Sequence, residues 1–528
     1  MKYSVMDLFC GAGGLSLGFE QTDKFEIKVA FEKNISAQTT YKKNHKDTIV
    51  YSNVNNANYN KIIKKYGPID VIIGDPPYQG FFNENFQNDR FINRNKKLII
   101  EYIRAISEVK PEAFVMENVT MLKSDVHKFY LDKHDLKNKK INNIPLSEDS
   151  ILLLDKKYFF YTAFSIINNI NNISYNSWEI KDYNSLLALF RLRNNKNKLE
   201  AFIKNNTDKI INLISSLNLF SCTDSHIYKQ TNEIIKHLEN LINGDEISDC
   251  FIETLISAIS TQQMLHIAKD LHKHQLCIDE FYLNSGNICA KLKAFSIIDY
   301  INYNIADTYA IDDGILSALD FGVPQKRLRF IMMGIKKEIN KKISLPKNET
   351  KKTTVKDAII DLEKITPIYN FKKDVGIEVD NSNYKPRSKK LFNQLHDNNK
   401  IYNHIIAKTS DVALERFKQI KPGKNFHSLS EEYKNNTYID YSKTQNTSYQ
   451  RLKYNEPSTT VVNVRKSMWI HPTLDRGISV REAARLQTFP DSYRFYGNKD
   501  SQFQQVGEAV PPKMAKAIAS QLYDALQK

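Results

Sequence analysis

Apolar residues in the first 120 positions gather into short runs set apart by polar or glycine-rich stretches. Tyr3 to Phe9 (YSVMDLF), Glu26 to Phe31 (EIKVAF), Ile69 to Ile73 (IDVII) and Ala113 to Met116 (AFVM) have the length of buried strands. Residues 95–109 carry their apolar positions at helical spacing instead. Each strand runs into a chemically distinctive stretch. The first leads to Cys10-Gly11-Ala12-Gly13-Gly14 and a helix start at LSLGFEQ, and the second to Glu32. The third leads to Gly74-Asp75-Pro76-Pro77-Tyr78-Gln79-Gly80-Phe81, and the fourth to Glu117-Asn118-Val119. Strands alternating with helices predict a doubly wound α/β sheet, with its site at the carboxyl ends of the strands.

The pattern changes further along. Residues 130–295 repeat Leu, Ile, Asn and Lys at helical spacing, as in LLALFRLRNNKNKLEAFI, and predict a mainly helical insertion. A strand resumes at 329–334 (RFIMMG). Residues 338–455 are polar, basic and turn-rich, and 478–488 and 513–526 read as helices. The expected organisation is a catalytic domain in three pieces, 1–129, 296–337 and 456–528. It is interrupted by the helical insertion at 130–295 and by a separate domain at 338–455.

A chain of 528 residues exceeds one ordinary core. Its 75 Lys and Arg outnumber 60 Asp and Glu, for a formal charge of +15, which suits a polyanionic partner such as nucleic acid. Cys10, Cys222, Cys250, Cys277 and Cys289 lack paired metal-ligand spacing, so neither a disulfide scaffold nor a metal site is expected. No run reaches membrane-spanning length and the first residues lack a secretory pattern, so a cytoplasmic protein without membrane association is expected.

Several of these stretches stand in an order that resembles the DNA cytosine-C5 methyltransferases. They are Asp7-Leu8-Phe9-Cys10-Gly11-Ala12-Gly13-Gly14, Pro76-Pro77, Glu117-Asn118-Val119 and Gln325-Lys326-Arg327-Leu328-Arg329. Arg481-Glu482-Ala483-Ala484-Arg485-Leu486-Gln487 and Gln505 to Pro512 (QVGEAVPP) complete the set. The resemblance covers about residues 1–125, 310–335 and 450–526. It implies a domain that binds S-adenosyl-L-methionine and flips a base out of double-stranded DNA, with 338–455 as target recognition domain. It also implies DNA methylation within a restriction-modification system, with a restriction endonuclease as partner. The family's cofactor residues carry over onto Phe9, Gly11, Gly13, Gly14 and Glu32. Asn53 stands where an adenine-contacting aspartate is expected, and Glu508 where the family usually has asparagine. Glu117 and Arg329 match the family's contacts to cytosine N3 and O2. Glu117 has the alternative of bracing the site loop, and Arg327 or Arg329 that of binding DNA phosphate.

One departure is chemical. The family places its nucleophilic cysteine after the two prolines, and here that residue is Tyr78. A phenol with a usual pKa of about 10 is a poor replacement for a thiol of about 8.5 in addition to a pyrimidine ring. Asp75-Pro76-Pro77-Tyr78 instead resembles the signature of the DNA amino-methyltransferases. In that reading the Asp75 carboxylate and Pro76 carbonyl accept hydrogen bonds from an exocyclic amine, Pro77 stiffens the loop, and Tyr78 stacks on the flipped base. The leading expectation is methyl transfer to an exocyclic amine with adenine N6 favoured, because aspartate at the first position resembles the adenine enzymes. The alternatives are cytosine N4, or a C5-type relative that binds DNA without catalysis.

Overall fold

The computed structural model describes residues 2–77, 94–123, 128–137, 144–348, 352–379, 386–434 and 444–527. The chain divides into two compact units. One is drawn from residues 1–79, 95–124 and 301–528, and the other contains residues 125–300.

The first unit is built on a seven-stranded sheet. Its strands are β1 (Tyr3–Leu8), β2 (Phe25–Phe31), β3 (Ile49–Tyr51), β4 (Val71–Gly74) and β5 (Ala113–Asn118), then β10 (Tyr309–Ser317) and β11 (Leu328–Lys336). Four strands of the intervening segment, β6 (Lys128–Tyr130), β7 (Ser147–Leu154), β8 (Ile278–Asn284) and β9 (Asn287–Ser296), belong to the other unit. The order across the large sheet is β10-β11-β5-β4-β1-β2-β3. Strands β1 to β5 pair in parallel, while β11 is antiparallel to both β5 and β10. The order reverses at β1, so the crevice beyond the ends of β1 and β4 is the topological switch point of a doubly wound sheet.

Both faces of the sheet are covered. On one, Val5, Val71, Ile73, Val115, Ile331 and Met333 join Leu15 and Phe19 of helix Gly14–Glu20 and Met514, Ile518 and Leu522 of helix Pro512–Leu526. Helix Arg94–Val109 buries Tyr102, Ile103 and Ile106, and the Tyr102 hydroxyl donates to the Val115 carbonyl at 2.7 Å. Strands buried on two faces read as continuous apolar runs, which is why these segments lack alternation.

Residues 338–455 lie within the first unit. Val355, Ile359, Leu391, Leu395 and Ile405 share a core with Ile478, Val480, Leu486 and Phe489. The second unit contains helices, the longest being Ser225–Ile242 and Asp249–Lys273. It also holds a small sheet in which β9 pairs with β6, β7 and β8. That sheet is a feature the helical spacing did not foreshadow. Among the described residues, no helix is long and apolar enough to cross a membrane.

Candidate active site

Strand register builds the site. Leu8 is aligned with Phe31 on one side and Gly74 on the other, and Gly74 is aligned with Met116. The next residue of each strand therefore emerges at the same edge of the sheet: Phe9, Glu32, Asp75 and Glu117. The backbone continues the ladder, with Cys10 N–H donating to Phe31 O at 3.0 Å and Asp75 N–H to Leu8 O at 3.2 Å. From β11, Phe330 is opposite Asn118 and Ile331 opposite Glu117, which delivers Arg329 to the same end.

The β1 turn is shaped by positive φ angles. Phe9 takes φ 63°, unusual for a residue with a side chain, followed by Gly11 at 53° and Gly13 at 91°. Gly13 is required twice over, because a Cβ there would lie 2.5 Å from His45 Nε2 and 2.6 Å from the Tyr493 hydroxyl. Gly14 opens the following helix, and a Cβ on it would meet the Val510 carbonyl at 2.3 Å, so the QVGEAVPP segment closes directly onto the turn. Glu32 ties the turn down: one oxygen accepts Gly11 N–H at 3.0 Å and the other Asn34 N–H at 2.6 Å. Burial raises its carboxyl above the usual range, and those backbone N–H groups oppose the rise.

S-adenosyl-L-methionine fits this turn. A Cβ at Gly11 would meet nothing within 4 Å, so the backbone there borders open space, and the Glu32 oxygens retain lone pairs for a ribose diol. Asn53 is exposed, and its Oδ1 already accepts Asn55 N–H at 3.0 Å, capping a short turn. Its amide nitrogen is the group available to a purine.

At the centre, Asp75 and Glu117 follow the aligned pair Gly74 and Met116 and so leave neighbouring strands side by side. Glu117 is 1% exposed, and Arg329 Nε lies 2.7 Å from its Oε1. That ion pair is not aligned as a hydrogen bond, so among the described residues Oε1 is a buried acceptor with no N–H aimed at it. Burial pushes the Asp75 carboxyl well above its ordinary range. The negative Glu117 adds to the rise, and Arg329 and Arg327 oppose it. The Pro76 carbonyl accepts Asn118 Nδ2–H at 2.9 Å, leaving one lone pair for any amine. Pro77 follows at the half-buried end of the described segment, and Tyr78 lies outside the described residues.

Arg327 has a different position from Arg329. It is 1% exposed and donates to the carbonyls of Val461, Gly507 and Glu508 at 3.1–3.3 Å. Burial lowers its pKa to about 9, with Arg329 alongside as the next cause. A guanidinium spent on three backbone carbonyls braces the QVGEAVPP segment and is not placed for phosphate. Glu508 is exposed, and its side chain accepts from Gln504 Nε2. Arg481 and Arg485 are also buried in structural roles. Arg485 pairs with Asp491 and Asp361 at 2.7 Å, and Arg481 donates to the carbonyls of Tyr402, Pro490 and Tyr493.

The thiols matter as well. Cys10 is buried in the turn against Ala30 and Tyr41, and burial raises its pKa well above the usual value. Cys222, Cys250, Cys277 and Cys289 all belong to the other unit. Among the described residues, the first unit therefore has no activated thiolate.

Comparison with known families assigns the frame. The model of the C-5 cytosine-specific DNA methylases matches residues 3–143 and 289–524. The chain belongs to this family. Among curated relatives, the type II methyltransferase M.DdeI of Desulfomicrobium norvegicum is 32% identical over 225 residues, spanning 39% of this chain and 53% of the relative. A putative type II methyltransferase of Oceanobacillus iheyensis is 29% identical over 315 residues, spanning 44% and 67%. The chain thus spans about half to two thirds of the length of these relatives. A crystal structure of a putative DNA modification methyltransferase encoded within an E. coli prophage aligns over 100% of both chains with TM-score 0.56 at 20% identity. That likeness concerns the fold.

Membership of the C-5 cytosine-specific DNA methylases corrects the preference for adenine N6. The family match runs through residues 3–143 and 289–524 and so takes in both Glu117 and Arg329. Against this, the adenine reading rested on four residues, of which only the aspartate favoured adenine. Arg329 supplies the physical reason: it is a donor beside the Asp75–Glu117 pair. Cytosine has an O2 acceptor next to N3, whereas adenine has only C2–H next to N1.

Proposed function

We propose that this chain is a site-specific, S-adenosyl-L-methionine-dependent DNA methyltransferase that acts on a cytosine flipped from duplex DNA and methylates its exocyclic N4. The observation that carries the choice of N4 is Asp75-Pro76-Pro77-Tyr78 at the end of β4, with no thiolate to replace the missing cysteine. Addition to C6 needs a strong nucleophile, while transfer to an amine needs only an oriented lone pair and a place for its proton.

Phe9, Gly11, Gly13, Gly14, Glu32 and Asn53 would hold the cofactor, which supplies an electrophilic methyl group when bound. Arg329 donates to cytosine O2. Asp75 and Glu117 face N3 and N4, the Pro76 carbonyl offers its second lone pair to the amine, and the Tyr78 ring stacks on the base. The charge of +15 supports affinity for DNA phosphates. The relatives' description as type II methyltransferases supports a restriction-modification context, with a restriction endonuclease as companion.

Mass spectrometry of nucleosides from duplex DNA incubated with protein and cofactor tests this reading. N4-methylcytosine is the expected product, and 5-methylcytosine or N6-methyladenine overturns the assignment. Retained DNA binding without any product favours a C5-type relative that binds without catalysis, the reading supported by the loss of the cysteine at Tyr78.

A further inference from the structure

We propose that His45 is a positioning residue for the cofactor turn, a buried imidazolium that locks the Ala12–Gly13 peptide through Tyr493. The inference rests on the cofactor and not on which atom of the base is methylated. His45 follows helix Ile35–Asn44 and has no exposed side-chain surface, while Glu20, at the end of helix Gly14–Glu20, reaches solvent. The ring's Nδ1 lies 2.8 Å from Glu20 Oε2, and its Nε2 lies 3.0 Å from the Tyr493 hydroxyl. That hydroxyl in turn donates to the Ala12 carbonyl.

Counting hydrogens sets the charge. The Ala12 carbonyl can only accept, so the single hydrogen of the Tyr493 hydroxyl is spent there. Towards His45 the phenol oxygen is therefore an acceptor, and Nε2 carries a hydrogen. A carboxylate also only accepts, so the contact with Glu20 needs a hydrogen on Nδ1. Imidazole is the stronger base of the two. Both hydrogens belong to the ring, which makes the pair an imidazolium against a carboxylate. The other titratable groups around the ring are Tyr41, stacked on it at 4.3 Å, Tyr493, and Asp7 and Cys10 at the end of β1 beyond Tyr41. Burial raises both tyrosines and Cys10 well above their usual values, so Glu20 is the anion in contact with the ring.

The consequence falls on the turn. The Ala12–Gly13 peptide is held at both ends, its carbonyl by Tyr493 and its N–H by the Cys10 carbonyl at 2.9 Å. Gly13 leaves that peptide at φ 91°, and its backbone packs so closely on the ring that a Cβ would lie 2.5 Å from Nε2. Deprotonation breaks the chain of bonds on one side or the other. Loss of the Nε2 hydrogen makes Tyr493 turn its hydroxyl to the ring and release Ala12. Loss of the Nδ1 hydrogen sets a lone pair against a Glu20 oxygen. Cofactor affinity should therefore be full while the ring is charged and fall as pH rises through its titration. By reciprocity, binding of the cofactor should favour the protonated ring.

The test is calorimetric titration of S-adenosyl-L-homocysteine into the whole chain without DNA, from acid to mildly alkaline pH, for wild type, His45→Gln, Tyr493→Phe and the double variant. Wild-type affinity should weaken about 10-fold as pH rises. Each single variant should bind about 10-fold more weakly at the acid end and lack that step. The double variant should be no weaker than either single one, because both break the same chain of bonds. Asp7, held at about 8 by burial, titrates in all four proteins, so the difference between profiles belongs to His45. Ring-nitrogen NMR of histidine-labelled protein, assigned by the signals that His45→Gln lacks, should show both nitrogens protonated at pH 6. A neutral His45 ring at pH 6 overturns the proposal. So does a His45→Gln profile that follows wild type, or losses that add in the double variant. Thermal melts identify the folded variants, and if His45→Gln is not among them, Tyr493→Phe, which keeps its ring between Phe489 and Phe495, carries the test.

Discussion

Gln325 and Gln487 face each other across the interior of the first unit, with Nε2 of Gln325 donating to Oε1 of Gln487 at 2.7 Å. Gln325 Oε1 accepts Val461 N–H at 2.7 Å, and Gln487 Nε2 donates to Val506 O at 2.8 Å. Two side-chain amides thus join QKRLR, the segment at Val461, RLQ and QVGEAVPP in one chain of bonds. Gln487→Leu leaves the Gln325 Nε2 group with only its long 3.4 Å bond to the Leu486 carbonyl and takes the side-chain donor from the Val506 carbonyl. We expect a loss of roughly 2–4 kcal/mol, measured by denaturant unfolding.

DNA carrying 5-fluorocytosine at the target traps enzymes that add a thiolate to C6. The wild-type protein should give no denaturation-resistant adduct with such a duplex, since Tyr78 replaces the cysteine and Cys10 is buried with a raised pKa. A covalent adduct would sink the N4 assignment. Tyr78→Cys restores the missing atom, and its trapping on the same duplex would show that the frame still presents C6 to this position.

Arg329 and Arg327 are two residues apart and should fail differently. Arg329→Lys replaces a fork with a point charge, and kcat/KM on the target duplex should drop roughly 10–100-fold with little change in melting temperature. Arg327→Lys cannot satisfy the carbonyls of Val461, Gly507 and Glu508 together. It should cost about 2–4 kcal/mol of stability, read from unfolding curves.

Acid and alkali should destabilise the protein through different carboxyls. Burial works against the charge on Glu482, but both its oxygens are held by Arg476 at 2.7–2.8 Å, and the net effect lowers its pKa to about 2. Its contribution is present above the usual carboxylate pKa of about 4.5 and is lost as pH falls toward 2. Asp7 has the opposite sign. Burial raises its pKa to about 8, so stability is greatest below its usual 3.8 and declines as pH rises to about 8. Glu482→Gln should remove on the order of 3 kcal/mol at pH 7 and flatten the acid limb of melting temperature against pH. Asp7→Asn should flatten the alkaline limb.

The sheet was readable where strands are buried on both faces, since IDVII and AFVM carry their own signal. Ile49–Tyr51 was not, because three residues make an edge strand only through their pairing with β2. Tyr309–Ser317 was hidden by its two aspartates and glycine; its partner β11 makes it a strand. In the second unit, Asn284-Ser285-Gly286-Asn287 did carry a hairpin signal. Ser285 and Gly286 have φ 51° and 88°, the pair of positive angles that tight strand reversals prefer. In the site, the strand-end acids were visible one by one. What sequence did not reveal was that the register of β4 and β5 sets Asp75 and Glu117 side by side. The adenine preference erred by letting the first residue of a tetrapeptide outweigh Arg329, whose neighbourhood only the antiparallel pairing of β11 with β5 defines.

The order of strands across the large sheet sets a timetable for synthesis. When β5 leaves the ribosome its outer edge has no partner, and it must wait for β11 while the whole intervening unit is made. The apolar face of β1 waits longer still, for helix Pro512–Leu526, and the Tyr3 hydroxyl ends up bonded to the Leu526 carbonyl at 3.2 Å. The glycine turn and the acids at the strand ends are thus encoded first and assembled last. A nascent chain exposes that unfinished sheet until helix Pro512–Leu526 has been made, which should make it a substrate for holding chaperones and keep any methyl transfer silent until that helix has docked.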